Sequence, residues 1–594
     1  MKAKFNAALF YDDTLRQVAN DGERNYWPVY YAEILARIGL PYALVGPDEL
    51  CAEALENYSV LLMPPSGENY LRPAQVEAVS RWVRLGGLLV GFGTRGLDAV
   101  FGISLAETIP QADDEFSPSS FIRLSHEQWT VPLLPRDERD CALPVLAPMQ
   151  CISAVDCQEL AHLYSIFGKD LRCPAVTYRT VGKGAACYWA YDLAHCVWAM
   201  HQGRPVLKDY DGDGQLKTRD GIAISPWSGE LPYADVMLFT LRRILAEHHA
   251  VFLHQLPPAP DGAIPDALFH WGGDDCGWQD DFISAAQFMK DLGLPYHINI
   301  MQGPAGNTLL SRENYAKLKK LGCEVGIQFR FTFEGIDDPY AFTKEDMEFQ
   351  LDTHRAAYGE MPVVTVFGRC EWTGWSEPAR WLAELGLKGD NNRFSQPGII
   401  PNPLNTLAFG FGTAYPFHYY EDWRRQNRRL EFTCQPISDY ECGFRYPEDK
   451  IDFSKLHRSI DLAEFWNLAL NMFRHPFYIV RTRSAPESIK EALVYMQKQG
   501  MNPLHLASDQ MCLWWHARSA SAIESIHIEE STVSVRTHTA YPAGCIIQLL
   551  SSEREPILVE IDGKPAVYKM REQHNVRWLY VAMPSGYASA VVRY

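Results

Sequence analysis

From Ile264 to about His516 the sequence repeats one rhythm: a short apolar strand, an amphipathic helix, a glycine, then the next strand. "IPDALFHW" leads to the helix "DDFISAAQFMKDLG", "PYHINIM" to "SRENYAKLKKLG", "CEVGIQFRF" to "KEDMEFQLDTHRAAYG" and "PVVTVFG" to "SEPARWLAELG". A loop-rich stretch through about Cys442 follows, and then "HRSIDLAEFWNLALNMF", "HPFYIVRT", "APESIKEALVYMQKQG", "NPLHL" and "ASDQMCLWWHAR". Strands separated by helices pair in parallel, and repeated units of this kind predict a β/α barrel, regular or distorted, over residues 260–516. Chemistry on such a scaffold belongs at the C-terminal ends of the strands.

At 594 residues the chain is too long for one core, and the flanking segments read differently from the centre. From Lys4 to about Ile103, strands such as "FNAALFY", "YALVG", "SVLLMPPS" and "GGLLVGFG" alternate with helices ending at glycine, which predicts a doubly wound α/β domain. A later piece, "VGKGAACYWAYDLA", reads as a returning strand and extends that domain over 1–250, with an irregular insertion. From Ser519 the pattern turns to alternating strands, including "SIHIEES", "TVSVRTHT", "CIIQLLS" and "WLYVAMP", so 519–594 is expected to be a small β-sandwich. The overall class is α/β.

A net charge of -18 argues against nucleic acid and anionic membrane surfaces as partners. No segment reaches the roughly 18 apolar residues that span a bilayer. The start, "MKAKFNAALFYDD", reads as a first strand rather than a signal peptide, so the expected compartment is cytoplasmic. The 14 cysteines show no CxxC pair and no regular spacing, and reduced, mostly buried thiols are the expectation. The 16 Trp and 29 Tyr are enough to stack sugar rings as well as fill cores, which makes a neutral glycan or glycoside the favoured ligand class.

Two acidic motifs stand out. In "DYDGDGQLKTRD", Asp209, Asp211, Asp213, Gln215 and Asp220 fall at the ligand positions of an EF-hand-type Ca²⁺ loop, with Gly214 at the sharp turn and Asp in place of the closing Glu. The alternative is an acidic surface turn. In "FHWGGDDCGW", Asp274 and Asp275 follow the first strand of the central domain, at its C-terminal edge. Adjacent acids on an irregular turn can point apart, one holding a metal and the other moving a proton. The competing reading is a turn before a helix capped by Asp280 or Asp281.

The central domain resembles the polysaccharide deacetylase (NodB-homology) family, whose first motif ends a strand on two aspartates. The resemblance implies Asp274 as general base and Asp275 as ligand of a zinc-type metal. The family's second motif is matched at Glu324, Val325 and Gly326, but Gln328 and Thr332 stand where two histidine ligands belong. Amide and hydroxyl oxygens are weak zinc ligands, so a standard zinc site is absent, and His270, His297 or His475 would have to rebuild it around Asp275. Alternation along "YHINIM" puts His297 on one face with Asn299. "VFGRCEWTGW" falls where the family has an arginine loop, nominating Arg369, with Glu371 beside it; "FRHPFYIV" nominates His475 as general acid. Arg369 as a structural ion-pair partner and His475 as a structural residue remain open.

The first domain resembles the class I glutamine amidotransferase-like fold, as in the non-catalytic trimerisation domain of some β-galactosidases. The turns at Ser66 and Gly93 carry no nucleophilic cysteine, so the resemblance implies a scaffold through which the chain forms homo-oligomers. Three functions are compatible with this set. The first is a deacetylase-like hydrolase acting on an acetylated amino sugar. The second is a glycan-binding scaffold with a groove lined by Trp271, Trp278, Trp372 and Trp375. The third is a metal-free glycoside hydrolase pairing an aspartate with Glu334, Glu371 or Asp390.

Overall fold

The structure is a computed structural model that describes residues 7–125, 130–133, 142–224, 230–248, 251–274, 279–302, 310–331, 341–395, 404–529, 531–551, 555–574 and 576–594. The chain forms two units, one from residues 1–200, 233–264 and 518–594, the other from 201–232 and 265–517.

These boundaries differ from the sequence-based ones at two places. The acidic segment around 209–220, expected in the first domain, belongs to the second unit. There Val206 and Lys217 bridge the backbone of Gly374 and Glu371, and Val206 and Leu216 join the same buried cluster as Phe367 and Trp372. The C-terminal strands, expected as a separate sandwich, are part of the first unit. Val251–Leu253 pairs antiparallel with Cys545–Leu550, which places it at the edge of one of the two C-terminal sheets. Gly39 makes this possible: its φ is +75°, and a Cβ there would stand 1.9 Å from the Leu253 carbonyl oxygen. The Arg518 guanidinium, 2 % exposed, then donates to the carbonyls of Ala36, Arg37, Leu253 and His254 at 2.8–3.1 Å.

The main sheet of the first unit has nine strands. Tyr42–Val45, Ala7–Phe10, Val60–Met63, Leu88–Phe92 and Gly184–Trp189 lie side by side in parallel, the last being the expected returning strand. The insertion is not irregular: Ser120–Leu124, Leu143–Val145, Gln158–Ser165 and Asp170–Val181 extend the sheet antiparallel. Cys151 and Cys173 are joined in a disulfide, so not every thiol is reduced as expected.

The second unit is built on an eleven-stranded sheet in which all strands but Thr406–Leu407 and Phe417–Tyr420 run parallel. At its centre Ala267–Gly273 pairs with Ala469–Phe473, Pro503–Ala507 and His297–Met301. Glu324–Phe329, Val364–Phe367, Gly389–Asp390 and Arg429–Cys434 follow in order. Among the described residues no ladder joins the two ends of this sheet, so the closure expected of a barrel is not seen in the backbone pairing. Every residue of Ala267–Gly273 is buried, and helices such as Gln279–Asp291 and Arg312–Leu321 follow the strands, which is why these strands read as continuous apolar runs.

Candidate active site

Gly272 and Gly273 end the central strand because nothing larger fits. A Cβ at Gly273 would lie 2.0 Å from the Arg474 carbonyl oxygen, and one at Gly272 would lie 2.7 Å from Ser508 Oγ. The close approach lets Arg474 N–H donate to the Gly272 carbonyl at 2.7 Å, and Asp274 and His475, each one residue past the Gly273–Arg474 contact, meet.

His475 Nε2 lies 2.6 Å from Asp274 Oδ1, and its Nδ1 lies 2.9 Å from Glu441 Oε1. The same Glu441 oxygen accepts the His475 backbone N–H at 2.5 Å. Gln328 Nε2 donates to the other oxygen of Asp274 at 3.0 Å. All three ionisable groups are buried, Glu441 completely. An imidazole with a carboxylate at each nitrogen either carries a full positive charge or shares a proton with one of them, so a transferable proton sits at the Asp274–His475 contact. A second buried pair holds this relay in place. Arg474 bonds Asp439 at 2.7 Å and donates to the Asp439 and Phe473 carbonyls at 3.2 and 3.0 Å. Asp439 and Glu441 thus engage the neighbours Arg474 and His475 respectively.

Asp274 and His475 line a cavity of about 490 Å³. One part of its wall is apolar, where Phe394, Ile437 and Phe473 pack with Tyr440, whose ring is 4.5 Å from that of Phe394. Another part is charged, with Lys217, Arg330, Arg369 and Glu371. Cys370 also reaches the cavity, but burial and then the Asp274 charge push its thiol up to about 12, which leaves no thiolate nucleophile.

Arg369 is exposed and has a left-handed backbone, φ 57° and ψ 14°, followed by Cys370 at φ 54°. Such a conformation costs a non-glycine residue about 1–2 kcal/mol. Arg369→Gly is therefore expected to stabilise the fold by about 1 kcal/mol in chemical denaturation while lowering kcat/KM for a pocket-bound substrate. A stability loss would show that the side chain has a structural role after all.

The structure brings together Asp274, Gln328, Arg369, Glu371 and His475, and leaves the other candidates apart. Asp275, Trp278, Thr332 and Glu334 lie outside the described residues. Trp271, Trp372 and Trp375 are core side chains, at most 4 % exposed, so none offers a face to a sugar. Their indole N–H groups are spent on His505 Nδ1, the Trp375 carbonyl and the Gly203 carbonyl. Asp390 is buried with Asn392 and Tyr419 away from the cavity lining, and burial pushes it up to about 6. Asp280 and Asp281 lie inside the first turn of Gln279–Asp291 rather than at its cap, and Asp281 pairs with Arg481 at 2.8 Å.

His297 is not a ligand beside Asp274. Its Nδ1 lies 3.3 Å from both Glu324 Oε2 and Asp509 Oδ1, and its Nε2 lies 3.1 Å from Asn299 Oδ1. Burial works against charging this ring, but the Asp509 and Glu324 carboxylates outweigh it and raise its pKa to about 10. Both ring nitrogens are thus engaged by Glu324, Asp509 and Asn299, away from Asp274. Burial, and then the charge on His297, lowers His270 to about 3. With Gln328 turned by its amide nitrogen to Asp274, and both nitrogens of His475 on carboxylates, the described residues around Asp274 do not fit an imidazole-bound zinc.

In the acidic loop, Asp209, Asp211 and Asp213 converge, but cations of the chain already meet two of them. Arg219 pairs with Asp211 and, at 2.5 Å, with Asp213, which also takes Lys217 at 2.5 Å. Asp220 accepts the backbone N–H groups of Tyr210 and Lys217 at 2.9 and 2.8 Å. Gln215 is held by its backbone N–H, which donates to Asp213 Oδ1 at 3.0 Å.

Sequence reasoning missed Glu441, Lys217, Arg330 and Tyr440. For Glu441 a signal existed: the spacing of acids in "DYE" complements the adjacent cations in "RH", a match that becomes visible only when the two strands are known to be neighbours. Lys217 was assigned to another domain, which hid its place at the cavity.

No family model matches this chain, and no curated protein does. Among solved structures, the carbohydrate deacetylase Agd3 matches over 100% of this chain and 98% of its own, at 9% identity and a TM-score of 0.41. The cold-adapted β-galactosidase of Rahnella sp. R3 matches over 32% of this chain and 29% of its own, at 19% identity and a TM-score of 0.26. The β-galactosidase of Bacillus circulans sp. alkalophilus matches over 34% and 31%, at 19% identity and 0.27. These neighbours are carbohydrate-active enzymes, and the chain spans less than a third of the length of either β-galactosidase.

Proposed function

We propose that the second unit is a carbohydrate-active hydrolase that removes an acetyl group from an amino sugar. The observation that carries this reading is the buried Asp274–His475–Glu441 chain opening into a cavity with both an apolar wall and cationic side chains. Asp274 takes a proton from the water that attacks the acetyl carbonyl, and the new C–O bond forms as the carbonyl oxygen gains charge. Arg369 supplies N–H donors to that oxygen. When the C–N bond breaks, His475 gives its Nε2 proton to the departing amine, and the proton held by Asp274 refills the ring across the 2.6 Å contact. Glu441 holds the ring by its Nδ1 throughout. No step is routed through a metal, since Gln328 stands where a zinc centre of the polysaccharide deacetylase type has an imidazole and both nitrogens of His475 face carboxylates.

A glycosidase is the second reading, favoured by one fact: Glu371 lines the same cavity as Asp274. One experiment separates the two. With N-acetylhexosamine oligomers, the wild-type chain is expected to release acetate and expose amines without new reducing ends, and His475→Gln to fall by at least about 100-fold. New reducing ends without acetate would transfer the reading to the glycosidase; neither product would leave a binding protein.

Calcium at Asp209, Asp211 and Asp213 is part of the proposal. It would have to displace Arg219 and Lys217, and freeing Lys217 would change the charge of the cavity it lines. Added Ca²⁺ should then alter the rate of wild type but not of Asp213→Asn, and equal responses would dismiss it.

A further inference from the structure

We propose a second ligand site in this unit: a transition-metal site of two histidines and a carboxylate, His418, Glu431 and His516, suited to Zn²⁺. It lies apart from the cavity at Asp274, since none of the three lines it. Phe417–Tyr420 and Arg429–Cys434 are paired antiparallel, with Phe417, Tyr419, Leu430 and Phe432 turned into the core. Alternation sends His418, Glu431 and Thr433 to the other face. There Thr433 Oγ1 meets Cys512 Sγ at 3.5 Å, and His516, one turn further along the helix Ser508–Ser519, comes over His418 with the ring centroids 5.5 Å apart.

One ligand-capable atom from each of His418, Glu431 and His516 lies within 4.8 Å of the other two. Bonds of about 2.0–2.2 Å to a tetrahedral ion would draw them somewhat closer, a shift that side-chain rotation supplies. The surroundings orient the ligands. His516 Nε2 lies 2.9 Å from the Lys388 carbonyl, which takes its N–H and leaves the Nδ1 lone pair free to bind. Arg429 bonds Glu431 Oε1 at 2.9 Å, leaving the second carboxylate oxygen available. Glu431 is exposed and His516 half-buried, so a cation can enter and a water can complete the shell. The two other candidate groups differ: both nitrogens of His297 already face partners, Glu324 and Asp509 on one side and Asn299 on the other, and the Asp209 group is met by Arg219.

The test uses untagged full-length protein stripped with chelator and titrated with Co²⁺, followed by its visible ligand-field bands, then with Zn²⁺ as competitor. One saturable Co²⁺ per chain is expected, displaced by Zn²⁺. Binding should weaken by about tenfold or more in His516→Ala and in Glu431→Gln and be unchanged in Asp274→Asn. Both substituted side chains are accessible, so the variants should fold, which circular dichroism verifies. Absence of binding, binding indifferent to both variants, or binding lost in Asp274→Asn would each overturn the site. The first two outcomes leave acetate release untouched, whereas binding lost in Asp274→Asn would place the metal in the cavity and revise the metal-free mechanism there, so failure of this site and failure of the hydrolase reading are distinguishable.

Discussion

Asp274→Asn is expected to lower the rate of acetate release by about 10²–10⁴-fold while leaving KM within a few-fold and the unfolding transition nearly unmoved. The reason lies in the hydrogen bonds. Asn has the volume of Asp, and its carbonyl oxygen can still accept from Gln328 Nε2, which lies 3.0 Å from Asp274 now. Its amide can donate to His475 Nε2 if the ring gives up that proton and keeps the one facing Glu441. The scaffold therefore survives with a neutral imidazole, and only the base is gone. A variant that keeps full activity would remove Asp274 from the chemistry; one that unfolds would show the pair to be structural.

His297→Gln is expected to cost about 3–5 kcal/mol of unfolding free energy at neutral pH, because it leaves Glu324 and Asp509 facing each other without the cation between them. His297 is fully buried, and its two carboxylate partners are only slightly exposed. The pH dependence gives a second readout. With its pKa raised from 6.5 to about 10, His297 contributes stability in full below 6.5 and loses it as pH rises towards 10. Urea denaturation across that window should show wild type losing stability with pH and the variant lacking this loss. Parallel curves would mean that the ring is neutral in the fold.

Much of the layout was legible because it depends on local pattern. The buried strand before Asp274 and the helix after it follow from apolar runs and glycines, while Arg369 and His475 were nominated by the family resemblance. What failed depends on contacts between distant segments. Trp271, Trp372 and Trp375 were read as sugar platforms since composition cannot tell a buried indole from an exposed one. His297 was correctly placed on a face with Asn299, yet its charge comes from Asp509, far along the chain. Residues 209–220 were given to the wrong unit because a short backbone bridge to Glu371, not composition, decides where they pack.

The interruption of the first unit by the second has a consequence during synthesis. Its strand Val251–Leu253 is made long before its partner Cys545–Leu550, and the four carbonyls bound by Arg518 are likewise made long before that residue. Until residues 518–594 emerge, the nascent chain carries an unpaired strand and lacks the Arg518 donors, while the segments of the second unit are already complete by residue 517. The unit that holds the cavity can thus mature first, and between the two completions the first unit still presents an open strand edge to which another chain can add.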